Sequence, residues 1–171
     1  WSNNRPTTVA WIVVDENGDR SVLGASDTNP LLLALQARAK ERGLPLVVPL
    51  MDQDEQLEVS AAVVWSGMVD VIEPASQRYA AEKILLGRIT HAGNGSWAAD
   101  WQIREQGNDQ RVSVGSATAQ EAGAAIADRL ANDLVARYGV AGVDQQQLRI
   151  RINGVGTAAD YGALLTYLGG L

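Results

Sequence analysis

Residues 43–56, GLPLVVPLMDQDEQ, place Asp52, Asp54 and Glu55 directly behind a short apolar run. Carboxylates at the end of a buried strand can supply oxygen ligands to Mg²⁺ or Ca²⁺, or move a proton in a hydrolase. The spacing lacks the D-x-D-x-D-G pattern of an EF-hand, and no other carboxylate is required by sequence to converge on the three. Asp52 and Glu55 also stand in D-x-x-E spacing ahead of an Ala/Val-rich stretch, as in a capping box, where acids suit a helix N-terminus. Capping is therefore the favoured reading, and Asp54 has no part in it. A concave pocket holding the three acids with a second charged group would favour a site. A backbone-bonded Asp52 beside a flat surface would favour the cap.

The segment GVGTAA at 154–159 matches G-x-G-x-x-A after a strand-like stretch and ahead of a helical one. Dinucleotide binding also needs a following parallel strand with an acid about twenty residues on, and the chain ends first. An ordinary strand-to-helix turn capped by Thr157 is preferred. His91 is the single histidine. No G-x-S-x-G surrounds Ser96, so a Ser-His-Asp arrangement has little support and His91 reads as a strand-end residue. Arg78, Tyr79 and Arg88 could form a polar cluster at a sheet edge; alternatively, Arg78 is solvated and Tyr79 packs over the next strand. Trp97 and Trp101, four positions apart on one strand face, could stack on a ligand ring, but fit better as core beneath a helix.

Composition narrows the possibilities further. The chain of 171 residues is 46% hydrophobic and 20% charged, the profile of a folded domain. Net charge is −6, and no window carries a basic cluster, which disfavours nucleic acid and anionic membranes as main partners. The absence of cysteine excludes disulfides and thiolate chemistry. Apolar runs such as 31–35 and 61–65 fall well short of the ~20 residues that span a bilayer. The chain opens on Trp1 rather than Met, which points to a piece of a longer protein.

The elements that must position these residues can be read from periodicity. TVAWIVV at 8–14 is apolar on both alternating faces and predicts a central strand. A polar turn at 15–19 leads to a possible short return strand at 21–23. Asn29 and Pro30 open a helix that Gly43 closes. Residues 46–50 predict a second buried strand, parallel to the first. Two short helices are expected over 55–81, the second starting or kinking at Pro74 and running to Ala81. Residues 83–91, 97–104 and 111–116 alternate with period two and predict an antiparallel meander with one covered and one wetter face. Thr118 and Glu121 open a long helix ending at Gly139. The fold expected is α/β: a mixed sheet with a parallel βαβ start and a three-stranded antiparallel meander, helices packed on the sheet. Its domain occupies 1–142 in the order βαβααβββα. A βα unit at 146–171 follows, either the start of a truncated second module or docked on the first domain.

Three segments carry a resemblance: RP-x-x-x-x-W at 5–11, RGLPL-x-x-P-x-x-D at 42–52, and RY-x-A-x-x-x-L-x-GR at 78–88. Together with the order of the flanking segments, they make nearly the whole chain resemble the DUF2066 family of bacterial envelope proteins of unknown function. That resemblance implies a periplasmic piece of a longer secreted protein, and it brings no catalytic or binding residues with it. The leading expectation is a non-catalytic periplasmic or envelope domain serving protein–protein interaction or assembly, its protein partner unidentified. The alternative is a small-ligand or metal-dependent hydrolase site around Asp52, with Asp54 and Glu55. No catalytic or cofactor-binding residue, no cofactor, no nucleic-acid partner and no transmembrane segment is expected.

Overall fold

A computed structural model describes residues 5–91 and 95–138. They lie in the first of two units into which the chain divides, Trp1–Gly139. The βα unit expected over 146–171, GVGTAA included, lies outside the described residues.

The apolar run near the start forms β1 (Thr8–Glu16), whose residues Val9 to Val14 are buried on both faces. Such two-sided burial requires covering layers above and below. Asn17 and Gly18 turn the chain with φ of 58° and 98° into β2 (Asp19–Leu23), antiparallel to β1. Both residues take the left-handed conformation that a tight two-residue hairpin needs, which Asn-Gly supplies at low cost.

Helix α1 (Pro30–Glu41) begins as its sequence predicts: Asn29 accepts from the Leu31 amide at 2.9 Å, and Pro30 occupies the first turn. Gly43, at φ 61°, ends it.

The strand expected over 46–50 is only a stub. β3 (Leu46–Val47) pairs in parallel with Thr8 and Val9, and the chain then leaves the sheet. Pro49 has no N–H to continue a ladder; its carbonyl instead accepts from Ala25 N at 2.8 Å, and Met51 turns away at φ 54°.

Three helices follow where two were expected: α2 (Gln53–Glu58), α3 (Ala61–Ser66) and α4 (Val69–Gln77). Asp52 and Ser60 each cap a separate start, and Gly67 breaks the path between α3 and α4 at φ 72°. Pro74 neither starts α4 nor carries it to Ala81. It sits inside a helix that begins at Val69, where the ring removes only one hydrogen bond of a short ladder.

The meander is present: β4 (Lys83–His91), β5 (Trp97–Glu105) and β6 (Asn108–Ser116) pair antiparallel in sequence. Gln106 and Gly107, both at positive φ, shrink the second connection to two residues. The long parallel partner of β1 is β4, paired over nine residues, and the sheet runs β2-β1-β4-β5-β6 with β3 beside β1.

Helix α5 (Ala119–Tyr138) starts at the expected cap, Glu121 N donating to Thr118 Oγ1 at 3.1 Å. With α1 it covers one sheet face, where Ile12, Leu85, Ile89, Trp101 and Ile126 form the larger core. Trp101 lies flat across Gly87, its cross-strand partner, in space that a Cβ would occupy. On the second face, α2 to α4 cover Val9, Trp11, Val13, Ile84 and Leu86. Trp11 Nε1 donates to Ser76 Oγ at 3.0 Å, which satisfies the polar edge of a fully buried ring. On β5 the cover reaches Gln102, buried beneath Gly67, and Arg104, which meets Asp70 of α4; elsewhere on the same face of β5 and β6, Ala98, Asp100, Arg111, Ser113 and Gly115 stand exposed.

Candidate functional site

Asp52 and Glu55 are brought together, and two residues from the far end of α4 join them. Asp52 Oδ1 accepts from the Glu55 amide at 3.1 Å as the N-cap of α2, and Oδ2 meets Arg78 Nη1 at 2.7 Å. Glu55 has a side chain only 3% exposed. Its Oε2 accepts from Met51 N at 2.7 Å, one residue before the position a standard capping box would use. Its Oε1 takes the Tyr79 hydroxyl and lies 3.5 Å from Arg78 Nη1. Tyr79 in turn accepts from Leu50 N at 2.9 Å. A buried carboxylate is tolerable only with such a set of donors.

These contacts tie residues 50–55 to the end of α4. Met51, held by Glu55, and Ala80, which follows Tyr79, both adopt left-handed backbone, φ 54° and 48°. For residues with a Cβ this costs about 1–2 kcal/mol each, so the surrounding bonds must outweigh it.

Backbone N–H donation from Glu55, then the Arg78 guanidinium, hold the Asp52 carboxyl below its ordinary value. Burial, reinforced by the bond to Glu55, pushes the Tyr79 phenol up. Elsewhere Arg104 lowers Asp109. A carboxylate depressed in the fold contributes stability above its unfolded pKa, lost as pH falls through the folded value; a phenol raised in the fold contributes below its unfolded pKa, lost as pH rises past it. Stability is thus expected to be flat between about pH 5 and 9, to fall below about pH 4, and to fall again above about pH 10. Thermal unfolding across pH checks this, and Tyr79→Phe removes the alkaline limb while leaving the acid one.

Asp54 does not join the cluster. It is exposed in the first turn of α2, where a negative charge meets the positive end of the helix. The second charged group that would favour a site is present as Arg78, yet both Asp52 oxygens and both Glu55 oxygens are already engaged. Among the described residues no three His, Asp or Glu side chains converge to hold a metal ion. A cavity of about 330 Å³ opens elsewhere, between α4 and the β5–β6 turn, lined by Glu73, Ser76, Glu82, Arg104 and Glu105. Arg104 there is paired with Asp70 and Asp109, and Glu105 with Lys83.

The other candidates separate. Arg78 is ion-paired rather than merely solvated, and Tyr79 packs against the second core as well as bonding Glu55. Arg88 stands apart on β4. His91 ends β4 stacked on Trp97, ring centroids 4.5 Å apart, and Trp97 and Trp101 face the core under α5. The partnership of Glu55 with Tyr79 has no signature in spacing, since 24 residues separate them.

Fold and cluster define an α/β domain with a mixed open sheet whose acidic strand end serves as a structural tie. No family model matches the chain, and no curated protein matches it. Among solved structures it is similar to the N-terminal domain of Thermus thermophilus Protein Y, at 13% identity and TM-score 0.36 over 78% of this chain and 98% of that one. It is likewise similar to lipoprotein GNA1162 from Neisseria meningitidis, at 13% identity and TM-score 0.38 over 82% and 99%. A competence or damage-inducible protein from Enterobacter asburiae gives 12% identity and TM-score 0.36 over 77% and 87%.

Proposed function

We propose that this chain is a non-catalytic domain of the bacterial envelope that holds a protein partner on the open face of its meander. One observation carries the reading: the second face of β5 and β6 is exposed at Ala98, Asp100, Arg111, Ser113 and Gly115, although β1 and the start of β4 are covered on the same side by α2 to α4. A flat, polar, hydrogen-bonding sheet surface suits protein contact better than it suits a small molecule, which needs a concave and mostly apolar pocket. Two of the three acids that would have served a hydrolase, Asp52 and Glu55, are instead engaged in capping and ion pairing. The envelope setting rests on the DUF2066 resemblance. No helix among the described residues is long and apolar enough to cross a membrane.

The test is photo-crosslinking in cells of the full-length protein, with a photoreactive residue at Ser113 or Ala98, and at Val135, exposed on α5, as control. A discrete crosslinked protein from the sheet positions and none from the α5 position is the expected result. Absence of any sheet-face product, together with calorimetric Mg²⁺ or Ca²⁺ binding that Asp52→Asn abolishes, would overturn the reading in favour of the hydrolase.

A further inference from the structure

Strand β6 is a long open edge of the sheet: it pairs with β5 on one side, and among the described residues no strand pairs with the other. At the opposite edge β2 and β3 have only five and two residues. β6 has none of the devices that keep an edge from joining another sheet. It runs nine residues in unbroken register with Glu105 to Trp97, without bulge, proline or lysine, and Val112 to Ser116 carry no charge. The turn before it fixes which backbone groups stay open. Gln106 and Gly107 close a two-residue hairpin, so Glu105 and Asn108 exchange hydrogen bonds, as does every second pair beyond them. The N–H and C=O groups of Asp109, Arg111, Ser113 and Gly115 therefore point away from β5. These four residues are symmetric about Val112, the centre of the strand.

We infer that β6 pairs antiparallel with β6 of a second copy of this chain about a two-fold axis through Val112, joining two sheets into one. The whole strand then overlaps. Arg111 bonds with Ser113 of the second copy and Asp109 with its Gly115, which supplies about eight backbone hydrogen bonds along ~30 Å of edge. Side chains select this register. Asp100 stands opposite Ser113 on the second face, and its Oδ1 accepts from Ser113 Oγ at 2.5 Å. The pairing lines up Asp100, Ser113 and Arg111 of the second copy in one row across three strands. The axis repeats the row, so two aspartates and two arginines form a neutral cluster. Arg111 makes no ion pair among the described residues, because Asp109, the one acid of its strand, is held by Arg104 through both oxygens at 2.5 and 2.9 Å. An axis at Arg111 would set the two arginines directly opposite each other, and an axis at Ser113 would set Arg111 against Gly115. Neither builds the aspartate row. On the first face Val112 meets Val112 of the second copy at a close, non-hydrogen-bonded position. Both valines are half-buried against the larger core and lose further exposure there. The net charge of −6 has little hold at this edge, since β6 carries one acid and one base and remote charges are screened. The open face of each meander stays free for the partner proposed above, which this pairing does not require.

The chain has no cysteine, so single cysteines report the register. In the full chain Val112→Cys should oxidise to a covalent dimer, because Cα atoms about 4.5 Å apart fit a disulfide. Gln110→Cys and Val114→Cys should each fail to crosslink with themselves, their copies lying about 14 Å apart along the paired strands. Mixed, those two variants should crosslink with each other. Sedimentation of the unaltered chain at rising concentration should show its mass doubling from 18.2 kDa. The Asp109, Arg111, Ser113 and Gly115 amides should exchange slowly in the dimer and fast in the monomer. Ser113→Pro removes an outward N–H that β5 does not use and should weaken the dimer about tenfold or more. A monomer at every concentration, equal self-crosslinking of the three cysteine variants, or a dimer indifferent to Ser113→Pro would each overturn the inference. Slow exchange of those four amides in a monomer would overturn it too, by showing the edge taken within its own chain.

Discussion

Replacing Gly123 by alanine is expected to destabilise the domain by about 2–4 kcal/mol, although alanine is the better helix former. Gly123 faces α1 at the closest approach of α1 and α5. A Cβ there would stand 2.2 Å from the Leu31 carbonyl oxygen and 3.0 Å from Leu35 N. Both are backbone atoms within a helix, so no rotamer change relieves the overlap; the two helices must separate. Separation opens gaps beside Leu31, Leu35 and Ile126, all fully buried, and dispersion contacts fall off steeply with distance. The propensity gain of about 1 kcal/mol recovers only part of the loss. Urea unfolding measures the effect. Gly115→Ala is the control, because a Cβ at Gly115 meets nothing within 4 Å, and its change should stay within about 0.5 kcal/mol. Equal stability of the Gly123→Ala and wild-type chains would show that the helices do not approach this closely.

The second large effect is expected from Glu55→Ala, at about 2–4 kcal/mol, since two donors then lose a common acceptor. Met51 N–H and the Tyr79 hydroxyl both point at the buried carboxylate. Without it, the bond from Gln56 Nε2 to the Met51 carbonyl is left to offset the left-handed backbone there. Amide exchange at Leu50 and Met51 should accelerate together with the fall in stability, because Tyr79 also accepts from Leu50 N. Glu55→Gln should fall between alanine and wild type: the amide oxygen can accept one bond, but the NH₂ group turns a second donor toward a donor. A structural tie and a metal site part company here. If Glu55 and Asp52 held a cation, stability would rise with Mg²⁺ or Ca²⁺ in the wild type and not in Glu55→Ala; ion-independent stability in both is the expected result.

The cap at Asp52 was legible because its partners lie within three residues, and the same holds for Asn29 before Pro30 and for Thr118 before Glu121. Period-two alternation likewise announced β5 and its pairing with adjacent strands, since hairpin partners are joined by short turns. The stub at 46–47 was less legible: LPLVVPL has the composition of a buried strand, and only Pro49 and the left-handed Met51 show where pairing stops. The three short helices after Asp52 were hidden for a related reason. Ala/Val-rich sequence supports helix anywhere along it, and the breaks depend on Ser60 and Gly67 finding their caps.

By itself, then, the order of residues determined the α/β class, the hairpin meander, the helix starts and the conversion of Asp52 into a cap, all interactions closed within a turn or two of chain. Only the tertiary structure decided that β1 lies in parallel beside β4, that Glu55 meets Tyr79, and that Gly123 lets α5 rest on the backbone of α1. Those contacts join segments up to some ninety positions apart. Side-chain type alone does not choose among the many partners possible at such separations; the packing of the two core layers against one sheet does.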